Sequence, residues 1–112
     1  MAVTTERANE IIAELNERAQ SIIAANGLDH YKGTTQLNPI QTVVDNFSKS
    51  TMATFNESSE GLLVSQRTDA IYEIEAIARD MVASESYYLQ GLGSAHAAAD
   101  STQWNTVIGN VA

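Results

Sequence analysis

Apolar residues recur at helical spacing along most of the chain. Ala8, Ile12, Leu15, Ala19 and Ile22 alternate at intervals of four and three, and Ile11 and Ile23 widen the stripe. Glu6, Glu10, Glu14 and Glu17 fall mostly outside it. This pattern predicts an amphipathic helix over 5–26, capped by Thr4 or Thr5. Asn26-Gly27-Leu28 is expected to close it, with Gly27 left-handed and Leu28 folded back onto Ile23. Glu14 and Arg18 stand in the favourable order for an i,i+4 ion pair. Residues 27–38 read as a connection, because Gly33, Thr34 and Thr35 break the period. Asn38 as a cap, Pro39 at the first helical position and Gln41 reaching back predict a second helix over 39–60.

That second helix starts with an apolar face of Ile40, Val43, Val44 and Phe47. The face then continues as Phe47, Thr51, Phe55, Ser58 or Ser59, and Leu62, where large and small side chains alternate. Small side chains let another backbone come close, and Phe47 and Phe55 would act as knobs. Phe47, Thr51, Phe55 and Leu62 are therefore candidate protein-interaction residues. Gly61 reads as a turn or a bend, followed by a third helix over 62–90. Its wide stripe includes Ile71, Ile74, Ile77, Ala78, Met81 and Val82, with Glu75 and Arg79 as another i,i+4 pair. Gly91-Leu92-Gly93 is expected to end it. Without a turn at Gly61, one helix over 39–90 would be a rod about 78 Å long that needs partner chains to cover it. A short tail helix is expected over 95–108. Trp104, Ile108 and Val111 fall close to one face there and complete the interaction set, because such side chains seek burial in the chain's own core or in a neighbour.

Composition narrows the fold. One proline and 6% aromatic residues argue against a sandwich or barrel. The expectation is a single all-α domain of three to four amphipathic helices, as a bundle or an extended helical hairpin, in an oligomer. Fourteen acids against six bases give a net charge of −8, which disfavours nucleic-acid backbones and anionic membranes as partners and attracts basic ones. With no cysteine, disulfides, thiolate zinc sites and thiol nucleophiles are excluded. The opening MAVTTERANE has no basic stretch followed by an apolar one, so no conventional leader is expected. No apolar run reaches the ~18–20 residues needed to span a bilayer. A cytoplasmic protein, or one carried in a virion or a leaderless-secreted assembly, fits these features.

Catalytic signals are weak. His96 and Asp100 supply at most two metal ligands, where a closed site needs four, and the sequence puts neither a histidine nor a carboxylate at i±4 from His30. Glu57 with Glu60, Asp69 with Glu73, and Glu10 with Glu14 pair carboxylates on faces expected to meet solvent, not in a dry pocket. No histidine follows a glutamate by three, as a di-iron bundle would require. Neither a nucleophile elbow nor a phosphate loop is present. Neither catalysis nor any cofactor, metal or small-molecule substrate is expected. The expected role is a structural one: a self-associating helical subunit or adaptor of a larger bacterial or phage complex such as a virion, secretion apparatus or filament. The alternative is a small acidic regulator that fills a basic site on a partner through Glu6, Glu10, Glu14 and Glu17. No motif is specific enough to name a family.

Overall fold

The computed structural model describes residues 3–95, with side-chain surroundings for 3–85, and the described chain is all-α. Helix α1 spans Thr5–Ala25, α2 Asn38–Thr54 and α3 Glu60–Ala95. Thr4 is the cap of α1: its backbone is extended and its Oγ1 accepts the Arg7 N–H at 3.1 Å. At the other end the Leu28 N–H donates to the Ile23 carbonyl at 2.9 Å and the Gly27 N–H to that of Ala24 at 3.0 Å. With Gly27 at φ 69° this is a Schellman motif, and Leu28 is sealed beneath it.

The connection is more ordered than its composition suggests. Asp29–Tyr31 and Thr35–Leu37 each form a turn of 3₁₀ helix, and Tyr31 is buried. The second turn feeds directly into α2, and the Asn38 N–H donates to the Thr35 carbonyl. Asn38 is therefore already helical and does not act as a side-chain cap, and Gln41 donates forward to Asp45 at 2.9 Å instead of reaching back.

The reversal between α2 and α3 lies earlier than the glycine that marked it. Helix α2 stops at Thr54, Phe55–Glu57 tightens into a 3₁₀ turn, and Ser58 is extended. The Thr54 hydroxyl donates to the Ser50 carbonyl at 2.9 Å and that of Ser58 to the Thr54 carbonyl at 2.8 Å. Such bonds compete for the helical acceptors, which is why a Ser/Thr-rich run ends a helix readily. Ser59 Oγ then accepts the Leu62 N–H at 3.1 Å and caps α3. Gly61 is thus neither a turn nor the middle of a rod; it sits in the first turn of α3. The continuous helix over 39–90 does not form, and α3 runs through Gly91 and Gly93 to Ala95 without stopping at Gln90.

The chain divides into two units, Met1–Arg79 and Asp80–Ala112. Of the second, the described part is helical, residues 80–95 of α3. In the first unit three helices pack together. The Val3 N–H reaches the Phe55 carbonyl at 3.2 Å, and Ala19 and Ile23 lie by Ile40 and Val44, so α1 and α2 are antiparallel. Ion pairs Arg7–Glu60, Glu14–Arg67 and Arg18–Glu75 place α3 parallel to α1. The core is sealed by Ile11, Leu15, Leu28, Leu63 and Ile74, with Ala8, Ala19, Ala70 and Ala78 letting the helices approach. Ile11, not Ile12, lies at the centre of the α1 stripe, and Leu63, not Leu62, at the start of that of α3.

The α1–α3 seam carries a ladder of charge. Arg7 bonds Glu10 at 3.1 Å and Glu60 at 3.3 Å and lies 3.7 Å from Glu14, which also bonds Arg67. Arg18 meets Glu75 at 3.6 Å. The hydrogen bonds that Arg7 donates to Glu60 and then to Glu10 hold its guanidinium above its ordinary pKa. Glu14 and Arg18, expected to pair along α1, both reach across to α3, because parallel packing places opposite charges within range there.

Candidate functional site: the groove between α2 and α3

The residues expected to meet a partner separate into distinct environments. Phe47 is buried and Thr51 is 0% exposed, so both belong to the bundle's own core. Phe55 starts the 3₁₀ turn and is half-buried. Leu62 is 48% exposed on α3. Trp104, Ile108 and Val111, and the tail helix over 95–108, lie outside the described residues.

Thr51 is the one buried side chain among the described residues whose hydroxyl has no hydrogen-bond partner. A sealed, unsatisfied hydroxyl costs stability that a methyl of the same shape does not. Thr51→Val should accordingly raise the unfolding free energy by about 1 kcal/mol, read from urea melts at constant m. A destabilised variant would mean that the hydroxyl has a partner in solution.

Two hollows flank α2. One, of about 480 Å³, lies under the connection; its apolar floor of Ile23, Ile40 and Val44 is core already buried. Lys32, on its rim, is 3.3 Å from Asp29. The other, of about 560 Å³, runs between α2 and α3, and part of its floor remains open. There Phe47 and Ala70 are buried, but Val43 and Ile77 are only half-buried. The α2 wall is Thr42, Asn46 and Ser50, one helical turn apart. The α3 wall is Gln66, Asp69 and Glu73, and Leu62 extends the same row by one turn. Among the described residues no cation pairs with Asp69 or Glu73.

The small-residue character of α2 was legible in the sequence, but it faces this groove one row away from the Phe47–Thr51 line. Asp69 with Glu73 was visible as an i,i+4 pair of acids; nothing in a single helix showed that Thr42, Asn46 and Ser50 stand opposite. Among the described residues no group of three or more His, Asp or Glu is placed to hold a metal ion, and no helix is long and apolar enough to cross a membrane. No family model, curated protein or solved structure matches the chain.

Proposed function

We propose that the chain is a non-enzymatic helical subunit or adaptor of a larger protein assembly, of the kind from which virions, secretion machinery and filaments are built. The observation that carries this is the α2–α3 groove. It has an apolar floor, half-buried at Val43 and Ile77, beside an otherwise sealed core. A further helix would cover that floor and complete a four-helix arrangement.

Solution mass by light scattering at low and high salt is the direct test. Self-assembly should appear as a mass above that of one chain which rises with salt, because −8 per chain repels itself until screened. A single-chain mass at both salts removes self-association and leaves assembly with another protein. If groove-filling Ser50→Trp then changed no association of the chain, the groove would have no role in assembly.

The acidic-regulator alternative draws on the α1 glutamates. Two of the four, Glu10 and Glu14, are engaged by Arg7 and Arg67, so that face offers a basic partner less than its sequence suggests.

A further inference from the structure

We infer that the α2–α3 groove receives an amphipathic helix of another protein, one that carries basic residues beside its apolar stripe. This rests on the assembly role proposed above and names the partner's chemistry. Three features converge on it. The floor offers half-buried Val43 and Ile77, which gain from losing water. The α2 wall ends in short side chains, so a helix axis can approach within the ~8–10 Å of ordinary helix packing. The α3 wall presents Asp69 and Glu73, one turn apart and with no cation partner among the described residues. The row from Leu62 to Ile77 is about 23 Å long at 1.5 Å per residue, which matches a helix of about 15 residues. An exposed leucine at one end and two carboxylates beyond it specify an apolar anchor followed by Lys or Arg on the same side.

A second copy of this chain is a poor occupant. Its six bases are Arg7, Arg18, Lys32, Lys49, Arg67 and Arg79. Arg7, Arg18 and Arg67 are held in the α1–α3 ladder, and Lys32 sits with Asp29. That leaves Lys49 and Arg79 to meet the acidic wall, against a mutual repulsion of −8 on −8.

The test is an amide-resonance titration of the full chain with two synthetic peptides. In both, Leu recurs at i, i+3, i+4 and i+7; the remaining positions are Lys in one and Glu in the other. The Lys peptide should shift the amides of Ser50, Ala70 and Ile77 saturably, more weakly at high salt, and the Glu peptide should not. Asp69→Asn with Glu73→Gln should weaken the Lys peptide about fivefold, the scale of two exposed ion pairs. Unchanged affinity in that double variant would overturn the inference, as would shifts confined to the Glu6 and Glu17 side of α1. If groove amides instead shift with the chain's own concentration, without peptide, a second copy fills the groove; the assembly role then stands and the basic partner falls. If nothing fills the groove under any arm, the basic partner falls, and the assembly role is decided separately by the solution mass.

Discussion

Leu63→Ala should lower the unfolding free energy by about 3 kcal/mol, while Leu62→Ala, one residue earlier, should change it by less than about 0.5 kcal/mol. Leu63 is 0% exposed at the start of the α3 core stripe, and its truncation leaves a cavity between helices that cannot fully collapse. Leu62 lies 100° round the helix with nearly half its surface in water, so its loss removes little contact. Chemical unfolding of the two variants, with m unchanged, measures the difference. Equal effects would mean that α3 is rotated about its axis by roughly 50°, with both leucines at the edge of the core.

Arg67→Glu should cost about 2 kcal/mol, and Glu14→Arg in the same chain should restore at least half of it. Arg67 is largely covered, with 17% of its side chain exposed, and bonds Glu14 across the α1–α3 seam. Reversal removes that bond and sets two carboxylates face to face in a partly desolvated position. The ladder alternates in sense: arginine on α1 to glutamate on α3, then glutamate to arginine, then arginine to glutamate. A slip by one turn would bring unmatched charges together, so the ladder selects register as well as adding stability. The coupling energy from the two single variants and the double variant tests this. A double variant no better than Arg67→Glu alone would show that the seam is held by packing only.

Helix α1 was legible in almost every detail, because its determinants are local. A threonine cap, a regular stripe and a glycine followed by leucine act within a few residues of one another. The α2–α3 reversal was not. Phe47, Thr51 and Phe55 keep one spacing straight through the helix end, and the signals that stop it, hydroxyls at Thr54 and Ser58, are also compatible with a helix. Gly61 drew the boundary toward itself although Ser59, two residues earlier, supplies the cap. Adjacent apolar residues posed a second difficulty. Ile11 with Ile12, and Leu62 with Leu63, differ by 100° on the wheel, and only the neighbouring helix decides which is sealed. The groove shared that dependence: its α2 wall and its α3 wall are each ordinary polar rows, and they acquire meaning only when brought together.

The rungs at Arg7–Glu60 and Glu14–Arg67 each join residues 53 apart. Closing so long a loop in an unfolded chain costs about 3.5 kcal/mol of entropy before any contact is made. The α1–α2 hairpin, by contrast, closes across a short connection already shaped by two tight turns. The topology therefore predicts that the hairpin forms before α3 docks. During synthesis α1 and α2 emerge before Glu60, Arg67 and Glu75, so the charge ladder on α1 can close only once α3 has followed.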